Sequence, residues 1–225
     1  MKGDRPALLT GTLVGVPEAD DWLSTAECEV LAGLRVPARR RDWRLGRWVA
    51  KRAVGWLLDV DPARLEIVAA SDGAPEPLID GHAAPAAISI SHRGGLAACL
   101  ATPAGIAPGC DLELIELRAQ IFVRDFFTAG ELAFVEGRPV SERDLFVNLI
   151  WSVKESALKA LRQGLRLDTR EVEVALDLDD EVDLGWRTVR VSYGARTLKG
   201  WWRVEGRHVL TAVTEPPAKS PLVLP

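Results

Sequence analysis

Two stretches of helical period, each followed by short apolar or alternating runs, constrain the fold of this chain more than any other feature. Ala38 to Leu58 reads as a helix that opens after Pro37 and closes before Asp61-Pro62. Glu142 to Leu161 reads as a second, ending near Gly164. Between them, strands are expected at Ile88–Ser91, Leu96–Ala101 and Asp111–Ile115, and helix around Gln120–Phe127 and after Thr128. Four more strands are expected after the second helix, at Val172–Leu176, Arg187–Tyr193, Thr197–Val204 and His208–Val213. The two helices also echo each other: Trp48-Val49-Ala50-Lys51 and Trp151-Ser152-Val153-Lys154 stand 103 residues apart, with Arg41-Asp42 and Arg143-Asp144 ahead of them. A helix and then strands, twice over, predicts an α/β (α+β) fold built as a pseudo-twofold pair of similar subdomains, with the active site in the cleft between them. The join is expected at the Pro103–Pro108 linker, dividing residues 1–105 from 106–225, and the Pro-rich tail after Glu215 reads as loose.

Composition narrows the class. A chain of 225 residues with 48% hydrophobic content can bury a substantial core as one large domain or two small, intimately packed ones. Its eight tryptophans are candidates to line a cleft as well as a core. Cys28, Cys99 and Cys110 lack metal-site or disulfide spacing, which points to a reducing compartment. No charged start leads into an apolar segment, and no run approaches the roughly 18 apolar residues of a membrane span, so a cytoplasmic protein that does not enter membranes is expected.

Charge is distributed unevenly. Arg35 to Arg52 holds eight basic residues and one acid, Asp42, within a chain whose net charge is −4. Such a run fits a small phosphate ligand better than a nucleic-acid backbone, which calls for a basic domain surface. A solvated basic helix face is the plain alternative.

The carboxylates are patterned too. In Gly109-Cys110-Asp111-Leu112-Glu113 the two acids alternate with apolar residues, so on a strand both leave the same face. Adjacent carboxylates repel unless a cation lies between them, and paired hard oxygens suit Mg²⁺. On the second helix Trp151, Glu155 and Lys159 fall on one stripe, with Lys154 about 100° round from Glu155. An exposed acidic strand and a solvated Glu–Lys pair are the alternatives on each element taken alone.

Together these segments resemble the 4′-phosphopantetheinyl transferase superfamily, in its surfactin- and enterobactin-associated form. That family joins a G-x-D-x-E strand to a W-x-x-K-E-x-x-x-K helix, and both are intact here as Gly109–Glu113 and Trp151–Lys159. Ser89-Ile90-Ser91-His92, Gly46-Arg47, Phe127-Thr128-Ala129-Gly130-Glu131 and Gly164-Leu165 extend the likeness. The resemblance implies transfer of the phosphopantetheine arm of coenzyme A to a serine of an apo acyl or peptidyl carrier protein, releasing 3′,5′-ADP. It implies Mg²⁺, with Mn²⁺ as a substitute, held by Asp111, Glu113 and Glu155. Lys154 and Lys159 would hold the pyrophosphate, and Arg40, Arg47, Ser91 and His92 the nucleotide. Glu155, Lys159 and Glu131 form the catalytic set, with Glu155 and Glu131 both candidate bases; Thr128-x-x-Glu131 also reads as a capping box. Residues 1–105 would serve the nucleotide and 106–225 the metal and pyrophosphate, in a monomer that binds no nucleic acid. Where the family often carries a basic residue between glycine and proline, this chain has Gly73-Ala74-Pro75, which leaves Arg93 as a replacement. Another Mg²⁺-dependent enzyme on nucleotides or pyrophosphates, or an Arg-rich binding module, are the competing functions.

Overall fold

The structure is a computed structural model and describes residues 5–163 and 167–225, so the expected helix end at Gly164 and the Gly164-Leu165 match lie outside the described residues. Two long helices, α2 (Pro37–Leu58) and α5 (Val140–Ala160), sit on the outside of two mainly antiparallel sheets. The first sheet contains β1 (Ala7–Thr12), β5 (Ala86–Arg93) and β6 (Leu96–Pro103), with β6 in the middle. The second runs in the order β7 (Ala107–Leu114), β11 (His208–Glu215), β10 (Arg196–Glu205), β9 (Trp186–Tyr193) and β8 (Val172–Val182).

Three cores separate these layers. Leu45, Val49, Val54 and Leu57 of α2 pack on Leu9, Ile88 and Cys99 of the first sheet. Leu149, Ile150, Val153 and Leu158 of α5 pack on Val174, Val191, Val209 and Val213 of the second. The opposite faces of the same strands meet each other: Leu8, Ala98 and Leu100 lie against Cys110, Leu112, Leu210, Ala212, Trp186 and Trp201. Strands buried on both faces read as continuous apolar runs, as Leu96–Ala101 does. At one side of this sandwich β7 has no strand partner, and the hydroxyls of Ser89 and Ser91 instead accept the Cys110 and Leu112 N–H groups, at 2.9 and 3.2 Å.

Chain order repeats. In the first half β1, α1 (Thr25–Gly33), α2, β2 (Leu65–Ala69), β3 (Pro75–Ile79), β5 and β6 follow one another; in the second β7, α4 (Ala129–Glu136), α5, β8, β9, β10 and β11 do. The strand before the long helix pairs with the last strand of its half in both cases. A helix α3 (Gln120–Phe126) is extra to the second half. The halves differ where it matters for a ligand: β9 pairs with β10, whereas β3 joins β2 and β4 (His82–Ala83) in a separate small sheet. The gap left beside β5 opens a cavity of about 890 Å³.

The link between halves is shorter than the sequence suggests, because Pro103 still belongs to β6 and Ala107 already to β7. Nor is the tail loose: β12 (Leu222–Val223) pairs in parallel with β1, and Leu224 is buried in the first core. None of the tryptophans lines the cavity; Trp186 and Trp201 are fully buried between the sheets, and Trp22 and Trp48 pack edge to face at 5.2 Å.

Candidate functional site

The site is set by a close approach between β7 and α5. At Gly109 a methyl group would stand 1.8 Å from the Ser156 carbonyl oxygen and 2.7 Å from the Ala160 nitrogen, so only glycine lets strand and helix touch there. Two residues on, Asp111 leaves the strand beside the last turns of α5. Lys159 bridges the contact, donating to the Cys110 carbonyl at 2.9 Å and to Asp111 Oδ1 at 2.7 Å. Ser91 donates to the same Oδ1 at 2.8 Å, while Asp111 Oδ2 is buried with no hydrogen-bond partner.

Glu113 and Glu155 complete a cluster of acids. Trp151 Nε1 donates to Glu113 Oε1 at 3.2 Å and Arg118 donates to Oε2 at 2.7 Å, with Arg93 Nε 3.5 Å from that oxygen. Burial and the neighbouring Asp111 charge push the Glu113 carboxyl above its ordinary value, against the pull of Arg118 and Arg93. Glu155 is half-buried on α5. Burial raises its carboxyl, Lys159 opposes that, and Asp111 and Glu113 add to the rise. For Lys159 burial works downward, but Asp111 and Glu155 outweigh it and hold the ammonium above its ordinary value. Among the described residues no three acid, histidine or cysteine side chains are gathered closely enough to hold a metal ion. The buried, partnerless Asp111 Oδ2, beside Glu113 and Glu155 that are raised first by burial and then by neighbouring acids, nevertheless fits a cation.

Lys154 and Glu131 are not part of this cluster. Lys154 is fully buried and its ammonium contacts Glu131 Oε2 at 2.9 Å, the Thr169 carbonyl at 2.8 Å and the Val172 carbonyl at 2.5 Å. Glu131 closes the capping box with Thr128 and accepts the Val174 N–H at 2.8 Å. The pair ties α4, α5 and β8 together, so the structure corrects the expectation of a pyrophosphate lysine and a catalytic glutamate. The other half repeats the device: Glu27 closes a capping box with Ser24, accepts the Ile67 N–H at 3.0 Å, and meets Lys51 at 2.6 Å with both side chains 2% exposed. The Trp-x-x-Lys echo therefore marks matching struts; the Ser24-x-x-Glu27 box was a readable signal that the sequence reading passed over.

On the first half the expected nucleotide residues separate. Arg40 places one guanidinium nitrogen, Nη1, at the C-terminal end of α1, donating to the Leu31 and Leu34 carbonyls. Ser91 spends its hydroxyl on Asp111 and the Leu112 N–H, which makes it an orienting group for the acid cluster. Arg47 lies over the Trp43 ring at 4.7 Å, its Nε buried without a partner and its pKa lowered by burial. His92 is half-exposed, with Nδ1 4.0 Å from Asp42 of α2. Arg93 faces Glu116 at 2.5 Å and does not stand in for the basic residue absent at Ala74. Instead Arg162 crosses from the end of α5 to that turn, donating to Asp72 twice at 2.8 Å and to Glu76 at 3.0 Å, on the rim of the cavity. Lys159 lines the cavity as well, whereas Asp111, Glu113, Glu155, Arg47 and His92 are not among its lining residues.

Residues 107–212 match the family described as ACPS, the 4′-phosphopantetheinyl transferase superfamily. The chain is 26% identical over 144 residues to the 4′-phosphopantetheinyl transferase HetI of a Nostoc species, covering 62% of this chain and 59% of that relative's length. A holo-(acyl-carrier-protein) synthase from Bacillus anthracis, solved with CoA (3′,5′-ADP), overlaps 45% of this chain and 97% of its own at 19% identity and a TM-score of 0.38. The holo-[acyl-carrier-protein] synthase of Thermotoga maritima overlaps 51% and 64% at 18% identity and a TM-score of 0.37. The matched segment, a little under half of the chain, runs from the Gly109–Glu113 strand through the Trp151–Lys159 helix to β11, and over it the chain is similar to the 4′-phosphopantetheinyl transferase superfamily.

Proposed function

We propose that the protein transfers the 4′-phosphopantetheine arm of coenzyme A to a serine of an apo acyl or peptidyl carrier protein, with release of 3′,5′-ADP. The observation that carries this reading is the contact of the Gly109–Glu113 strand with the Trp151–Lys159 helix, whose Lys159 also lines a cavity of about 890 Å³. Arg47 and His92, on the α2 side of β5, are the groups left for the 3′-phosphate end of coenzyme A. Lys159 faces the pyrophosphate, where an ammonium gains as charge shifts from the serine oxygen toward the departing 3′,5′-ADP. Asp111, Glu113 and Glu155 would hold Mg²⁺ or Mn²⁺, which when bound neutralises charge on the pyrophosphate. As the serine oxygen bonds to the β-phosphorus and the bond from that phosphorus to the 3′,5′-ADP oxygen breaks, the serine proton passes to Glu155. Without metal, burial and then the Asp111 and Glu113 charges raise that carboxyl, against Lys159, the direction that favours taking a proton. Among the described residues no helix is long and apolar enough to cross a membrane.

The test is to incubate the protein with coenzyme A, Mg²⁺ and an apo carrier protein and to weigh the carrier. Gain of one phosphopantetheine that depends on Mg²⁺, is lost in Glu155→Gln and is weakened in coenzyme A affinity by Arg47→Ala is the expected result. An unmodified carrier, or full transfer in chelator, overturns the reading.

A further inference from the structure

Glu113 is held by more than its own ion pair. Arg118 Nε donates to Asn148 Oδ1 at 2.8 Å while its Nη2 donates to Glu113 Oε2 at 2.7 Å. Asn148 is fully buried on α5, and both its N–H bonds are spent on backbone, the Glu116 and Asp144 carbonyls at 2.7 Å each. With the amide nitrogen fixed in this way, its oxygen can only face Arg118. The guanidinium is further seated over the Phe122 ring at 5.3 Å, and Phe122 packs on Trp151 at 4.8 Å. Trp151 then returns to Glu113, donating to Oε1 at 3.2 Å. The contacts form a closed circuit from Arg118 through Phe122, Trp151 and Glu113 back to Arg118, locked to the core by Asn148.

We propose that Arg118, aimed by Asn148, is a positioning residue that pins Oε2 of Glu113 and thereby presents Oε1 to the Trp151–Glu155 side of α5. The inference rests on the assignment of Glu113 to the cation and pyrophosphate centre and adds residues that lie outside both family motifs. Arg93 adds charge from 3.5 Å, but only the Arg118 fork couples the carboxylate to a buried, fully bonded amide. A lysine could supply the charge without the fork, since one ammonium does not reproduce the paired, planar donation of Nε and Nη2. The role is thus one of orientation, and a change of charge alone does not reproduce it.

The experiment uses the full chain as wild type, Arg118→Met, Arg118→Lys and Trp151→Phe. Mn²⁺ affinity is measured by electron paramagnetic resonance in the presence of coenzyme A without carrier protein. Coenzyme A affinity in chelator and melting temperature are measured beside it. Loss of an orienting partner commonly weakens a metal ligand set 10–100-fold, and about that loss of Mn²⁺ affinity is expected in both Arg118 variants. Trp151→Phe, which keeps a ring against Phe122 and loses the N–H, is expected to lose less. Coenzyme A affinity in chelator should stay at the wild-type value, and with Mg²⁺ varied at saturating coenzyme A and carrier protein the apparent KM for the metal should rise more than kcat falls. Wild-type Mn²⁺ affinity in Arg118→Met overturns the proposal, and so does full recovery in Arg118→Lys, which would reduce Arg118 to a counter-charge. A wild-type protein that transfers phosphopantetheine but binds no Mn²⁺ with coenzyme A overturns the metal assignment, and the proposal with it. That outcome is distinct from equal binding by wild type and variant.

Discussion

Replacing Lys154 by methionine separates a strut from a ligand. The ammonium and the Glu131 carboxylate are 0% and 2% exposed, and each is fully bonded: Lys154 to one carboxylate oxygen and two carbonyls, Glu131 to that ammonium and to two N–H groups. Burial lowers the Lys154 pKa and Glu131 resists the change, as expected of a cation kept inside by its partner. Removing one member of such a pair leaves an uncompensated charge in the core, a loss of about 3–5 kcal/mol. At roughly 2–4 °C per kcal/mol for a chain of this size, the melting temperature should fall by about 6–20 °C. Lys154→Met combined with Glu131→Gln removes the orphaned charge and should recover part of the loss, with a coupling of about 0.5–3 kcal/mol in the cycle. Lys51→Met in the other half should cost a similar amount, since Lys51 and Glu27 are as deeply buried. Urea denaturation of Lys154→Met, Glu131→Gln, their combination and Lys51→Met gives these values, and carrier modification is assayed well below each melting temperature. Wild-type stability in Lys154→Met together with lost transfer would refute the argument and return Lys154 to the pyrophosphate.

Four further outcomes follow from the geometry. Gly109→Ala forces β7 and α5 apart, and overpacking of about 1–3 kcal/mol should appear in denaturation together with loss of transfer as Asp111 and Lys159 separate. Glu113 and Glu155 are raised, so between their unfolded and folded pKa values the folded protein holds protons that the unfolded chain has lost. Stability in chelator should therefore fall as pH rises through that window, while kcat/KM rises through it as the acids ionise; denaturation and rate profiles from roughly pH 4 to 8 test both signs. Arg162→Ala breaks half-exposed ion pairs, so melting should shift by no more than the equivalent of about 1 kcal/mol, whereas coenzyme A affinity, read by calorimetry, should change because Arg162 lies on the cavity rim. Asp111→Ala should abolish transfer and keep the secondary structure, as circular dichroism would report, while the Lys159 ammonium left without its partner lowers the melting temperature.

Much of this architecture was legible in the sequence where one period dominates a long segment. The helices α2 and α5 begin and end within two residues of their expected positions, since their apolar stripes and flanking prolines act locally. The acids of Gly109–Glu113 and the Trp151–Lys159 stripe meet as strand and helix geometry implies. What one element cannot report is which neighbour takes its polar groups. Lys154 and Lys159 look alike in sequence, yet one faces α4 and β8 and the other β7, a difference fixed by tertiary packing. Ser91 and Arg40 read as ligand groups because nothing local announces the β7 edge or the end of α1 that occupies them. Arg118, Asn148 and Arg162 were missed for the same reason, their partners lying 30, 32 and 90 residues away for the contacts that define them.

The short strand at Leu222–Val223 has a consequence for how the chain reaches this state. It covers the outer edge of β1, so the sheet built by the first hundred residues is completed only by a segment more than two hundred residues downstream. Until that segment has been synthesised, β1 exposes an apolar edge, Ala7, Leu8 and Leu9, whose N–H and C=O groups can recruit any passing strand. The N-terminal half thus waits for the C-terminal tail, and a ribosome stalled short of Leu222 would release a product prone to associate through its first strand.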